Sequence, residues 1–418
     1  MKKEIIKYTA VFFTLIAVFF TYSVLVCLLP TENIKKNIKK DANSMFEVGD
    51  YPYAIINKKQ YQMDDFTDAL ILNINYSIDK KKPVRSVMLC EWSIYNYASP
   101  QQDLIRFTND EKPDETVNYV RYWHGNSFLL RPLLLFADYS FIRWILYTVS
   151  SILLLILGIK LHKNLGMRKT AAFMFGLLCV NIIVTQFSIQ FFPVITLSTI
   201  ACILMCKYFK DRKKILLISF IFGCLTAYLD LFTTPLLVCG LPLLVYLSLA
   251  EEDTFKNRFL TLILFGFLWA IGYFFTWASK WGLATLLTDI NVFENAFNQF
   301  IRWSDNENYS RFHAIIVNFN LLPIVVINLI FILLLPLVIL FFNKKAIKTN
   351  LLLLIVAALP YLWYIVIAKP CWWHWWFAYR TQAISIIAVL FIFINFISWN
   401  KIIQSYDRCK MFFLNSKK

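Results

Sequence analysis

Long apolar runs recur along this chain, separated by short polar segments. They lie near residues 8–29, 140–160, 170–186, 190–208, 215–232, 234–250, 259–280, 314–342, 351–368 and 381–399. Runs of about 18 or more apolar residues match the hydrocarbon thickness of a bilayer better than a globular core. The pattern predicts an all-α polytopic membrane protein with about ten transmembrane helices and a large first outer loop. The first run, Tyr8 to Leu29, would reach about 33 Å at the helical rise per residue. That length, with no small-residue cleavage site, predicts a retained signal-anchor.

The polar segments divide the chain into four parts. Residues 1–29 are a cytoplasmic N-terminus and first span, and 30–139 a large extracytoplasmic loop holding a carboxylate cluster and interfacial helices. Residues 140–399 are a nine-span membrane domain, and 400–418 a basic cytoplasmic tail. Inside the large loop, the stretch reading NIKKNIKK is expected as a solvated helix or loop. Arg131-Pro132-Leu133 opens an apolar patch too short to span, expected as a helix lying in the interface. The two halves show no repeat, which lowers the expectation of an inverted-repeat transporter.

Composition agrees with the membrane reading: 59% of residues are hydrophobic and 16% charged, against about 25% charged in soluble domains. The net charge of +16 changes the picture through its distribution. Basic residues cluster at Lys2, Lys3 and Lys7, at 160–169, 207–214 and 343–348, and at Lys401, Lys410, Lys417 and Lys418. With ten spans all of these fall on one side, as the positive-inside tendency requires. Both termini are then cytoplasmic in an inner or plasma membrane, and the mixed-charge segment 251–258 fits this least well. No basic stripe interleaves with exposed aromatics, so nucleic acid is not an expected partner. The nine cysteines form no CxxC pair. Cys90 and Cys371 fall in outer loops, where one disulfide could join them.

Residues able to do chemistry gather at the outer ends of the predicted spans. Asp64, Asp65 and Asp68 open an amphipathic stretch. Such acids cap a helix N-terminus through Asp65 or Thr67, or serve as a general base or metal-binding pair. Arg121, Trp123 and His124, within YVRYWHGN, suit a sugar- or phosphate-contacting loop as well as an interfacial aromatic belt. Asp230, in LDLFTTP, is either a cap of the next helix together with its threonines or a functional acid at the membrane boundary. His374, Tyr379 and Arg380 close an aromatic stretch, KPCWWHWWFAYR. Belt anchoring explains its tryptophans, whereas an outer arginine suits a lipid phosphate. On sequence alone both readings stand for each cluster. No nucleotide loop, HExxH or GxSxG motif occurs.

Taken together, DDFTDALILN, RYWHG, LDLFTTP and HWWFAYR resemble bacterial membrane proteins of the GT-C superfamily of glycosyltransferases. The order of one span, a large outer loop with early carboxylates, then many spans, is similar as well. In those proteins the last motif is similar to His-x-x-Phe-Thr-Tyr-Arg, where this chain has Ala378 at the Thr position and Lys369-Pro370-Cys371 upstream. The resemblance implies a GT-C-like fold and an inverting transfer from a polyprenyl-phosphate-linked sugar to a glycan or lipid acceptor. It further implies a catalytic carboxylate at Asp65 or Asp68. Asp64, Arg121, Trp123, His124, Asp230, His374, Tyr379 and Arg380 would bind substrate, with a divalent cation (Mg or Mn) as a further expectation. A transporter or flippase of lipid-linked glycans, or a polysaccharide polymerase or ligase, is the alternative.

Overall fold

The structure is a computed structural model describing residues 2–54, 58–95, 99–304 and 310–415. Lys417 and Lys418 of the expected basic tail lie outside the described residues. The first apolar run forms helix α1 (Lys2–Cys27). A lobe follows, built from α2 (Thr31–Val48), α3 (Asp65–Ser77), α4 (Pro83–Leu89), β1 (Glu91–Ile94), α5 (Pro100–Thr108), β2 (Glu115–Asn118) and α6 (Gly125–Leu133). In α2, Ile34, Ile38, Ala42 and Met45 recur at helical spacing. They pack on Ala69, Ile71 and Leu72 of α3 and on Leu104 of α5. Lys36, Lys39 and Lys40 point outward, so the NIKKNIKK stretch is a helix with one buried face. The strands pair antiparallel, Glu91 opposite Asn118 and Ile94 opposite Glu115, a small two-stranded sheet closed across α5 that the sequence reading had not separated from the loop.

The remaining helices are α7 (Tyr139–Cys179), α8 (Ile182–Thr185), α9 (Phe192–Tyr208), α10 (Arg212–Leu229), α11 (Leu236–Leu249), α12 (Phe255–Leu287), α13 (Val292–Ser304), α14 (Arg311–Phe319), α15 (Ile324–Leu340), α16 (Ile347–Val366), α17 (Ala368–Trp373), α18 (Trp375–Ala378), α19 (Ala383–Phe396) and α20 (Trp399–Asn415). Asp138, Asp211 and Thr254 cap the N-termini of α7, α10 and α12. Among the described residues, five helical stretches are long and apolar enough to cross a membrane, and six if α14 and α15, bent by 78°, form one span. The chain is therefore an all-α membrane protein. Helices α9 and α11, with 17 and 14 residues, reach only about 26 and 21 Å, which is why length alone does not establish ten crossings.

Helix α7 accounts for two of the expected runs. Its 41 residues break at Gly166, whose φ is 76°, a left-handed value that costs glycine nothing. A Cβ on Gly158 would lie 3.1 Å from Met174 Cε, whereas 16 positions along a straight helix would separate them by about 24 Å. The chain thus reverses at Gly166, and α7 is a helical hairpin. The span at Trp375–Phe396 is mostly buried, whereas α1 and α7 are mostly exposed. Helix α15 buries no residue at all, and Val325, Leu333, Ile339 and Leu340 are open to the surroundings. An all-round apolar exterior is stable when the solvent is lipid.

The basic loops meet at one end of the bundle. Glu4 pairs with Lys213 at 3.8 Å, Lys169 with Glu251, and Arg258 Nη1 donates to Thr349 Oγ1 at 3.0 Å. Tyr246 lies within electrostatic reach of Arg212, Asp253 and Arg258, which links these contacts. The mixed-charge segment 251–258 belongs with them.

Arg131 and Lys280, both buried completely at the lobe end, close helix C-termini. Arg131 Nε donates to Val26 O at 3.0 Å and its Nη1 to Asn75 O at 2.7 Å, satisfying terminal carbonyls of α1 and α3. Lys280 Nζ, on α12, donates to Val87 O at 2.6 Å and Met88 O at 3.0 Å, at the end of α4. The helix expected to open at Arg131 instead has it in its last turn, where this arginine is a buried tie between lobe and α1. Cys90 and Cys371 are both free and buried in separate apolar clusters, so the expected disulfide is not formed.

Candidate active site

Helix α3 begins at three carboxylates that do three different things. Asp64 is the N-cap, accepting from Thr67 N at 2.8 Å, the part expected of Asp65 or Thr67. Asp65 and Asp68 are three positions apart and share a helical face. Asp68 uses both oxygens fully. Its Oδ2 accepts from Tyr139 Oη at 2.7 Å and Ile189 N at 3.1 Å; its Oδ1 accepts from Ser188 Oγ and Gln190 N, each at 3.1 Å. It ties α3 to α7 and to the turn before α9. Asp65 has one oxygen engaged, Oδ2 against Arg143 Nη1 at 3.3 Å. Its Oδ1 is buried without a partner.

Burial disfavours the charged form of all three carboxylates. Asp64 is pushed up to about 7, with Thr67 opposing, and Asp65 to about 6, with Arg143 opposing. Asp68 is also raised by burial, against its hydrogen bonds from Tyr139, Ile189 and Gln190 and the nearby charge of Arg143. A carboxylate held near 6 is a stronger base than a solvated one and remains ionised at neutral pH.

The C-terminal motif packs on the entry to this helix. Arg380 Nη1 donates to Trp376 O at 3.0 Å and Nη2 approaches Gln62 O at 3.5 Å, while Nε has no partner. Asp64 lies within its electrostatic reach. Tyr379 Oη sits 3.0 Å from Gln60 O and accepts from Asn181 Nδ2 at 3.2 Å. These two residues therefore hold segment 60–62, which delivers Asp64 and Asp65. His374 stacks on Phe377 with centroids 5.2 Å apart. Burial lowers it to about 4, so its imidazole is neutral, and Nδ1 is unpartnered. Trp376 stands edge-on to Tyr51 at 5.2 Å, and Tyr51 stacks on Phe66 at 5.8 Å, forming an aromatic wall beside the carboxylates.

The other two clusters are placed differently. Asp230 follows α10 and accepts from Thr233 N at 3.1 Å and Thr233 Oγ1 at 2.5 Å, a local turn that closes α10 and leaves α11 without a side-chain cap. It is within electrostatic reach of Tyr122, and Tyr119 is likewise near Asp64, so the aromatic pair bridges the two acids. Trp123 is fully buried and donates from Nε1 to Thr276 O at 2.7 Å. His124 has φ of 55°, and its Nε2 lies 2.9 Å from Tyr119 O. Gly125 is required, since a Cβ there would meet the ring and carbonyl oxygen of Tyr228 at 2.6 Å. Arg121 reaches Asn295 Oδ1 on α13 at 3.0 Å. In this arrangement Trp123 fixes the lobe onto α12, while His124 is bound within its own loop.

The structure thus brings together Asp64, Asp65, Tyr379 and Arg380, with Asp68 holding the frame. Arg143 was missed by the sequence reading, although an arginine at the outer end of an apolar run is the same signal that singled out Arg380. Gln62, Tyr51 and Phe66 carried no such signal. Among the described residues no three His, Cys, Asp or Glu side chains group closely enough to hold a metal ion. Compared with family models, curated proteins and solved structures, the chain matches none.

Proposed function

We propose that this protein is a membrane glycosyltransferase that moves a sugar from a polyprenyl-phosphate donor to a cell-surface glycan or lipid acceptor. The reading rests on one observation: the unpartnered Asp65 Oδ1, buried beside Arg143 and Asp64. A buried carboxylate oxygen without a donor is costly and rare, and it is what a general base needs before substrate arrives. In the proposed reaction Asp65 Oδ1 takes the proton of the acceptor hydroxyl. The hydroxyl oxygen forms a bond to the anomeric carbon as the bond from that carbon to the phosphate oxygen breaks. The electron pair leaves with the lipid phosphate, and Arg380, with its free Nε, offsets the growing negative charge. Asp65 and Arg380 are both about 1% exposed, which suits a transfer that must exclude water.

The described residues present no three-ligand metal set, so no step is routed through a divalent cation. The topology proposed with this function has ten crossings, with α7 contributing two. The basic end and both termini are cytoplasmic, and the lobe lies on the extracytoplasmic face of a plasma or inner membrane. The gathering of the basic loops at one end supports it. A transporter is less well supported, because the buried Lys280 and Arg131 are tied to backbone carbonyls and line no path.

The test is transfer of label from a panel of radiolabelled polyprenyl-phosphate sugars to endogenous glycan in membranes containing the protein. Asp65→Asn and Arg380→Ala, matched for protein level, are expected to lose transfer. Full transfer by Asp65→Asn would remove the base assignment, and no transfer from any donor by the unaltered protein would remove the reaction.

A further inference from the structure

At the basic end of the bundle, opposite the lobe, the turn at Gly166, the segment before α16 and the junction of α19 with α20 line an open cavity of about 710 Å³. Its wall carries Arg168, Lys169 and Lys345 against one carboxylate, Glu251. Lys169 pairs with Glu251. Arg168 and Lys345 have no ion-pair partner among the described residues. The Arg168 guanidinium lies 3.9 Å from the centroid of Trp399. Stacking fixes its plane and leaves its N–H edge available to an anion.

The rest of the wall is mixed: Asn343, Thr349 and Asn395 are polar, and Leu165, Ile394 and Ile397 supply an apolar part. Helix α20 leaves the cavity from Trp399 with Ile403 and Tyr406 on the same face, 52% and 67% exposed. An amphipathic helix carrying Lys401, Arg408 and Lys410 settles on a bilayer surface, which sets the cavity at the level of lipid headgroups. We infer that this cavity is a binding site for a phosphate-bearing anion, matched best by the phosphodiester headgroup of an anionic phospholipid. The phosphate would meet Arg168 and Lys345, while the glycerol and first acyl carbons would rest on Leu165, Ile394 and Ile397. The volume suits a ligand of that size. This site shares no residue with the candidate active site, so it stands or falls independently of the proposed reaction.

The test uses the purified full chain in detergent, with binding followed by thermophoresis. The probes are dioctanoyl-phosphatidylglycerol, dioctanoylglycerol with the same chains and no phosphate, and glycerol phosphate with no chains. Saturable binding of the phospholipid but not of dioctanoylglycerol is expected. An Arg168→Ala/Lys345→Ala double variant should bind it at least about tenfold more weakly, as loss of charge-assisted contacts implies. Lys213→Ala, basic but outside the cavity, should bind as the unaltered chain does. Arg168→Glu is a second variant, and circular dichroism melting checks that each is folded. Glycerol phosphate binding as tightly as the phospholipid would uphold the phosphate site and identify a soluble ligand as its source. Equal binding of dioctanoylglycerol, or unchanged binding by the double variant, would overturn the inference.

Discussion

Replacing Asp68 and Asp65 by Asn separates an anchor from the proposed base, although the two residues lie one helical turn apart. An amide at position 68 keeps one acceptor oxygen and turns two donor hydrogens toward Ile189 N or Gln190 N, both of which now donate to the carboxylate. One backbone N–H is left buried and unpaired, at about 1–3 kcal/mol, and the surviving bonds lose their charge assistance. A total near 3 kcal/mol is expected. Asp65→Asn gives up only the 3.3 Å contact with Arg143 and relieves a buried charge, so its net cost should be within about 1 kcal/mol. Catalysis should reverse the order: loss of a general base costs about 100- to 10,000-fold in rate. Both variants would be purified in detergent, melted by intrinsic fluorescence, and assayed for transfer at a temperature where each is folded. Asp65→Asn should melt like the parent and be inactive, whereas Asp68→Asn should melt lower and keep substantial activity per folded molecule. The reasoning is refuted if Asp68→Asn melts with the parent, or if Asp65→Asn retains more than about a tenth of the rate.

Other outcomes follow from the same geometry. Arg380→Lys keeps the charge but not the planar fork that spans Trp376 O and Gln62 O, so transfer should fall about tenfold or more at constant protein level. With Asp65 held near 6, kcat/KM should rise with pH through about 6 and level off above it. For stability the sign is opposite. The folded chain keeps the Asp65 proton to higher pH than the unfolded chain, so this group's contribution declines as pH rises from about 4 to 6. Asp65→Asn should therefore gain in melting temperature relative to the parent across that interval. Gly125→Ala forces a methyl against the Tyr228 backbone and should destabilise by about 1–3 kcal/mol, seen as a lowered melting temperature.

Much of the architecture was legible in the apolar runs and the placement of lysines, because lipid imposes a length and a charge bias that sequence records directly. What escaped was what depends on partners distant in sequence. The hairpin in α7 was readable as two runs, but α9 and α11 are too short for length to count as spans. The acids at 64, 65 and 68 were legible as a group at the start of one helix. Their division into a cap, an acid paired with Arg143 and an anchor was hidden, since it depends on Thr67, Arg143 and the 188–190 turn. Arg131 read as interfacial because nothing local shows that two helix ends converge on it. Cys90 and Cys371 read as a possible pair because both lie outside spans, whereas each is enclosed in its own apolar cluster.

The buried Lys280 also bears on how the protein is made. The carbonyls that receive it belong to a helix about 190 residues earlier in the chain, so during synthesis the acceptors exist before the donor. A lysine within a span opposes membrane insertion by up to about 3 kcal/mol at mid-helix and less toward an end. A finished lobe removes that penalty as α12 emerges, and an unfinished one leaves it in force. Damage to the lobe is therefore felt in a distant helix, since it leaves Lys280 of α12 without the carbonyls of Val87 and Met88.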